Sequence, residues 1–271
     1  MEQYLWLIPI GVAIGAYGTL IGAGGGFVLV PFLLLLYPKE GPEIITSISL
    51  AVVFFNALAG SAAYARMRRI DYTSGLLFSV ATVPGAILGA LTTAYIPRRA
   101  FDVILGVLMV VVSAFLIMRP QKRPPGDLLP GDHRLSRTLT DTDGTIYTYS
   151  YRATYGIVTS LLVGYFSSAL GIGGGIIQVP VLTHLLNFPV HIATATSQFT
   201  LAAMALAGTL IHIATGAFHR GIRRTIALTI GVLLGAPLGA WLSNRVQADW
   251  IIRGLAIALG LLGIRILAAA L

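Results

Sequence analysis

The chain has 271 residues, of which 56% are hydrophobic and 10% charged, with a formal net charge of +8 and no cysteine. A soluble domain carries about 25% charged residues, so the composition excludes an ordinary soluble fold and points to an integral membrane protein; without cysteine, disulfides and thiolate chemistry are excluded as well. The positive balance does not argue for nucleic acid, because basic residues at the ends of membrane spans are expected from topology and lipid headgroups.

Charges sit in short islands between apolar runs, several of them about 20 residues long, the length a bilayer core demands. In chain order the apolar elements are Tyr4–Leu20, Gly26–Tyr37, Ile44–Tyr64, Thr73–Tyr95 and Phe101–Met118. A polar stretch, Arg119–Ser150, follows, and then Tyr151–Leu170, Gly175–Asn187, Ile192–Ala217, Thr225–Ser243 and Trp250–Leu271. All read as helices, since only helices or closed barrels satisfy their backbone in lipid and the period-2 alternation of a barrel is missing. The start, Met1-Glu-Gln-Tyr4, has no basic segment, so the first run reads as a mature span rather than a cleaved signal. Elements two and seven are short, about 12 residues; half-helices, re-entrant segments and arms of broken spans all fit them. Within the polar stretch, Lys122 to Gly131 is loop chemistry. Thr138 to Tyr149 alternates around Asp143-Gly144, a hairpin turn signal, so a small β-hairpin outside the membrane is expected.

The chain repeats itself. Gly22-Ala-Gly-Gly-Gly-Phe-Val-Leu-Val-Pro31 returns as Gly171-Ile-Gly-Gly-Gly-Ile-Ile-Gln-Val-Pro180, with four glycines, the valine and the proline unchanged. Thr46 and Ser49 match Thr194 and Ser197; Ala57-Leu-Ala-Gly60 returns as Ala205-Leu-Ala-Gly208; Gly85-Ala-Ile-Leu-Gly-Ala90 returns as Gly235-Ala-Pro-Leu-Gly-Ala240. Three ordered blocks at nearly constant offset indicate duplication, giving repeats over 1–118 and 151–271 with a linker at 119–150. Each half holds five elements if all cross, or three crossings if the first two form a non-crossing pair. Either number is odd, so the halves enter the bilayer from opposite sides as inverted repeats. Arg66, Arg68, Arg69, Arg119, Lys122, Arg123, Arg134, Arg137 and Arg152 fall on one face, against Lys39, Arg98, Arg99, Arg220, Arg223 and Arg224 on the other. The excess favours the linker face as cytoplasmic.

Three adjacent glycines weaken a helix by about 1 kcal/mol each relative to alanine. Two such breaks at matching places in two halves point to a transporter's binding site. The combination of both glycine motifs with Ser168-Ala-Leu-Gly171 and Asn187-Phe-Pro-Val-His-Ile-Ala-Thr-Ala-Thr-Ser-Gln198 resembles the TauE/SafE family of sulfite-exporter-like permeases over essentially the whole chain. The resemblance implies anion transport across the cytoplasmic membrane, with sulfite and organosulfonates as the family's named substrates.

An oxyanion needs donors and no facing carboxylate. The glycines Gly24, Gly25, Gly26, Gly173, Gly174 and Gly175 offer these through successive backbone N–H groups and the helix starts that follow them. Thr46, Ser47 and Ser49, with Thr194, Thr196, Ser197 and Gln198, lie at the starts of the third and eighth elements and could complete the shell. Taken singly, such hydroxyls more often bond their own or a neighbouring helix. Gln178 and Asn56 are stronger candidates, because an amide in lipid needs a partner. His212 is the candidate for a coupled proton, against a plain packing role; His184 is weaker, and His191 and His219 look interfacial. No residues have metal-ligand spacing, and no cofactor is expected. Glu43, Asp71, Asp102 and Asp249 stand at span ends, which argues against a cation or metal substrate. Arg253 and Arg265 are placed to snorkel, Arg265 being a weak alternative anion contact.

The resulting expectation is an all-α, multi-pass protein of the cytoplasmic membrane, built from two inverted repeats of about five helical elements with short or broken helices after the glycine motifs. It is expected to carry a small inorganic or organic anion where the two glycine breaks meet, one half rocking against the other, with a proton or sodium ion as coupling ion and a homodimer as candidate assembly. An anion channel, or a carrier of organic carboxylates, are the rival readings on the same scaffold. An intramembrane enzyme lacks a nucleophile–base constellation here.

Overall fold

The computed structural model describes residues 4–118, 135–243 and 245–270. The loop chemistry expected over residues 122–131 and the linker residues Arg119, Lys122, Arg123 and Arg134 lie outside them. Among the described residues the chain is all-α apart from one hairpin, and seven helices are long and apolar enough to cross a membrane.

The first glycine motif turns the chain back on itself. Helix α1 (Leu7–Ile21) ends at Gly22, whose φ of +81° and N–H bonded to the last carbonyls form a left-handed cap. Gly24 and Gly25 also have positive φ, +69° and +80°, where a side chain would be strained. Helix α2 (Gly26–Leu36) then returns: Trp6, just ahead of α1, meets Phe32 of α2 edge-on at 6.4 Å. Helices α1 and α2 are therefore the arms of a V with the glycines at its tip. The second motif does the same between α6 (Ala153–Leu170) and α7 (Gly175–Pro180), with Gly171 and Gly173 at +66° and +69° but Gly174 at −52°. Past Pro180 the helix continues as a π-turn, Val181–Leu185. Elements two and seven, left open by the sequence, are thus returning arms.

Around the tips the two halves interleave. The central helices α3 (Pro42–Arg66) and α8 (Val190–Ala214) lie antiparallel, with Thr46 opposite His212, Leu50 opposite Gly208 and Gly60 opposite Gln198. Helices α5 (Arg98–Met118) and α10 (Ala248–Ala270) are also antiparallel; Ser113 donates to the Ala256 carbonyl at 2.7 Å, and Gly106 faces Gly263 and Leu267. Helix α9 (Ile222–Ser243) runs beside α1 from the other half, and α4 (Tyr72–Thr93) beside α6. The Gly-Ala repeats line these two seams: a methyl on Gly239 would fall 2.0 Å from the Ala16 carbonyl oxygen, and one on Gly85 2.1 Å from that of Leu161. Small residues let membrane helices approach this closely. Large apolar side chains such as Val80, Leu88, Val111 and Ile117 face outward, while Thr, Ser, Asn and Gln are buried inside.

Strands β1 (Leu135–Thr140) and β2 (Ile146–Tyr151) pair antiparallel. The connection is a five-residue loop organised by Asp141, whose Oδ1 accepts the N–H groups of Asp143 and Thr145, rather than a two-residue Asp-Gly turn. The hairpin is docked on the helix ends. Asp141 pairs with buried Arg69 at 3.1 Å, Arg137 pairs with Asp71 at 3.1 Å, and the rings of Tyr149 and Tyr151 lie 4.3 and 5.1 Å from Phe188, before α8. Burial raises the pKa of the Asp71 carboxyl, but hydrogen bonds from Arg137, Ser74 and Tyr149 outweigh it and hold the group below its ordinary value. Asp141 is likewise lowered against burial, by the Asp143 amide and Arg69.

Candidate functional site

The tips of the two Vs touch at the centre of the molecule. A methyl on Gly26 would lie 2.5 Å from the Ile172 carbonyl oxygen, and one on Gly175 2.2 Å from that of Gly22, so backbone meets backbone in both directions. Each tip is also fastened to the other half's central helix. Ser49 donates to the Gly171 carbonyl at 2.5 Å and Ser197 to the Gly22 carbonyl at 2.9 Å, while Gly171 packs on the Thr46 backbone and Gly22 on that of Thr194.

No anion-sized space separates the tips themselves. The opening lies beside the second one: a cavity of about 10 Å³, lined by Gly174, Gly175, Gln178, Ser197, Thr82 and Thr200, and closed by Val163, Leu201 and Met204. That volume holds about one water. No charged side chain lines it. Among the described residues, the amides of Gly173, Gly174 and Gly175 donate to no protein acceptor, as expected of a helix start. At the first tip the Gly24 amide is spent on the Gly18 carbonyl, while those of Gly25 and Gly26 are unbonded.

Gln178, 3% exposed, places its Nε2 3.5 Å from Ser160 Oγ and leaves Oε1 without a partner. Serine both donates and accepts, so either end of the amide can face Ser160 and the other remains available to the cavity. Ser167 Oγ, beside Gly174, is also unpaired.

The other expected residues divide into groups. The hydroxyls of Thr46, Ser49, Thr194 and Ser197 are fully buried and each gives its one proton to a carbonyl: of Glu43, Gly171, His191 and Gly22. In this conformation they are fasteners. Asn56 accepts from Thr19 at 3.3 Å and Gln198 donates to the Gly18 carbonyl at 3.4 Å, near the first tip rather than at the cavity; Asn56 Nδ2 and Gln198 Oε1 stay unpaired. Gly24 packs on Leu201 and Val53, and Gly25 on Ile14. His212 lies beyond the second tip, its Nε2 3.4 Å from Thr46 Oγ1 and its Nδ1 unpaired. Sequence reasoning missed Thr82, Ser160 and Thr200. A signal for them existed: their partners in the other repeat, Val232, Gly11 and Val52, have no polar side chain.

The molecule has no group of His, Asp or Glu side chains that could hold a metal among the described residues. What the site offers is unbonded main-chain amides, neutral polar side chains and a dry wall.

Comparison with known proteins agrees with this architecture. The model of the family described as sulfite exporter TauE/SafE matches residues 7–266. The probable membrane transporter protein YunE of Bacillus subtilis (strain 168) is 33% identical over 98% of this chain and 97% of its own length. A probable membrane transporter protein of Methanocaldococcus jannaschii is 20% identical over 97% of this chain and 96% of its own, and one from Xylella fastidiosa (strain Temecula1) is 26% identical over 89% and 83%. No solved structure matches. With the family model spanning nearly every helix, this multi-pass membrane protein is a transporter rather than an enzyme, and it belongs to the sulfite exporter TauE/SafE family.

Proposed function

We propose that the protein carries small anions, sulfite or organosulfonates, across the cytoplasmic membrane by alternating access, with the anion held at the second glycine tip. One observation carries this reading: two glycine-tipped Vs meet tip to tip with unbonded amides beside a cavity that no carboxylate faces. Successive free N–H groups form an anion-binding nest, and interrupted helices at matching places mark the sites of many transporters. The antiparallel placement of α3 against α8 and of α5 against α10 supports an inverted relation between the halves.

A cavity for one water does not admit sulfite, so the anion binds when the tips part and this is a closed conformation. Each V is seated on a helix of the opposite half, α1 on α9 and α6 on α4. The bodies that rock are therefore these mixed groups rather than the two stretches of sequence. His212 is the group we assign to a coupled proton, because its Nδ1 is free within the seam between halves.

The test is flux of radiolabelled sulfite into proteoliposomes. Saturable uptake, without single-channel currents in planar bilayers, is expected; non-saturating flux with such currents would make the protein a channel. His212→Gln is expected to abolish stimulation by a pH gradient while leaving counterflow intact; stimulation that survives would remove the histidine from coupling.

A further inference from the structure

The duplication supplies an internal control. Each residue of the cavity has a counterpart in the other half, so what differs between the two tips is what one tip has and the other lacks. The side chains that make the second tip polar are Gln178, Thr82 and Thr200. In this closed conformation the two threonines donate to the Phe78 carbonyl and to those of Thr196 and Gly75, so of the three only Gln178 presents an unspent group before the tips part. Their counterparts by the repeat are Leu29, Val232 and Val52. These three are buried, at 0%, 0% and 1% exposure, within one continuous apolar core. Ser197, whose counterpart is Ser49, is shared, and so are the glycines. The fasteners are thus common to both tips, whereas the cavity-lining polar groups belong to one.

The backbone differs in the same sense. Gly25 has a φ of +80° and presses on Ile14, while its counterpart Gly174 has a φ of −52°. A methyl on Gly174 would touch Met204, Val163 and Ser167 at 3.1 Å or more, against 2.6 Å from Ile14 for one on Gly25. The second tip is therefore less tightly filled than the first, and by side-chain ends rather than by backbone. The buried, unpaired end of the Gln178 amide is a second and independent sign of a ligand there, since a buried amide left without a partner costs about 1–3 kcal/mol; Asn56 and Gln198 near the first tip also keep an unpaired end, but neither lines the cavity.

We infer that the two tips have specialised: the anion is bound and selected by Gln178, Thr82 and Thr200 at the second tip alone, and the matching first-tip residues Leu29, Val232 and Val52 only pack. This rests on the reading of the glycine tips as an anion site. Transport then involves one anion per chain, not two. Selection follows from neutral hydrogen-bonding groups, so anions of similar size compete according to the donors and acceptors they present.

The experiment exchanges residues between the tips. Thr200→Val and Thr82→Val import the first tip's residues; Val52→Thr and Val232→Thr make the reverse change. Valine and threonine have nearly the same shape, and a thermal melt of each purified variant reports whether it folds. Uptake of radiolabelled sulfite is read as KM. Each second-tip variant is expected to raise KM about tenfold or more while Tm stays within a few degrees, and Val52→Thr and Val232→Thr to leave KM unchanged. Gln178→Leu, with the same readout, is expected to behave as the second-tip variants do. Equal effects from both tips would overturn the asymmetry, and unchanged KM in all three second-tip variants, with normal uptake by the unsubstituted protein, would overturn this inference alone. Failure of the unsubstituted protein to bind or move sulfite would remove the functional reading beneath it.

Discussion

Replacing Gly26 or Gly175 by alanine adds one methyl where the two tips meet. At Gly175 the new carbon would stand 2.2 Å from the Gly22 oxygen and 2.2 Å from the Ala23 α-carbon; at Gly26 it would stand 2.5 Å from the Ile172 carbonyl carbon and oxygen. The obstructing atoms are backbone on both sides, so no side-chain rotation relieves the clash. Reaching an ordinary contact near 3.4 Å requires the tips to separate by about 1 Å, an overpacking cost of about 1–3 kcal/mol. For a chain of this size that is a fall in Tm of about 2–12 °C. Because either methyl forces the same separation, the double variant is expected to lose clearly less than the sum of the singles. Gly254→Ala is the control: only Tyr17 Oη comes near, at 3.6 Å, and removing a mid-helix glycine is expected to be neutral or stabilising by about 0.5–1 kcal/mol. Thermal unfolding of the four variants in detergent gives the answer. Wild-type melting of Gly175→Ala, or full additivity of the pair, would refute backbone-to-backbone contact of the tips.

Other expectations follow from the fasteners and the hairpin. Ser49→Ala is expected to cost about 1 kcal/mol of stability, for one hydrogen bond, with sulfite KM unchanged; Ser197→Ala, which also lines the cavity, should lower Tm similarly and raise KM. Asp141→Asn removes the carboxylate that Arg69 pairs with at 3.1 Å and leaves it the exposed Asp143 carboxylate at 3.6 Å, a loss of about 1–3 kcal/mol in hairpin docking, visible as faster hydrogen exchange over residues 135–151. Asp71 and Asp141 have folded pKa values below the ordinary carboxylate range. Their contribution to stability is therefore complete above about pH 4 and lost as pH falls further. Tm should drop steeply below about pH 4, with a smaller drop in that range in an Asp71→Asn, Asp141→Asn double variant.

Much of the fold was legible because the constraints were of kinds a sequence displays. Length and apolarity mark the spans, and the glycine motif marks both tips since glycine takes the positive φ of Gly22 and Gly171 without strain. The Gly-Ala repeats mark the seams at Gly85 and Gly239. What was hidden is long-range. Nothing local in Trp6 or Phe32 says that they meet, so whether the short elements crossed or returned stayed open. Nothing in Ser49 shows that its proton goes to Gly171 in the other half, which turned an expected ligand into a fastener in this conformation. The interleaving of α1 with α9 and α4 with α6 was equally invisible, because membrane helices share one apolar pattern whichever neighbour they take. Thr82 escaped notice in an ordinary span and stands out only when laid against Val232.

The central claim is that main-chain amides of the second glycine tip hold the transported anion. A crystal grown with selenite, an oxyanion shaped like sulfite whose selenium scatters anomalously, tests it most directly. The account predicts an anomalous peak within hydrogen-bonding reach of the Gly173–Gly175 amides and Gln178, with the tips moved apart. A peak confined to the first tip or to the arginines beside the hairpin would contradict it.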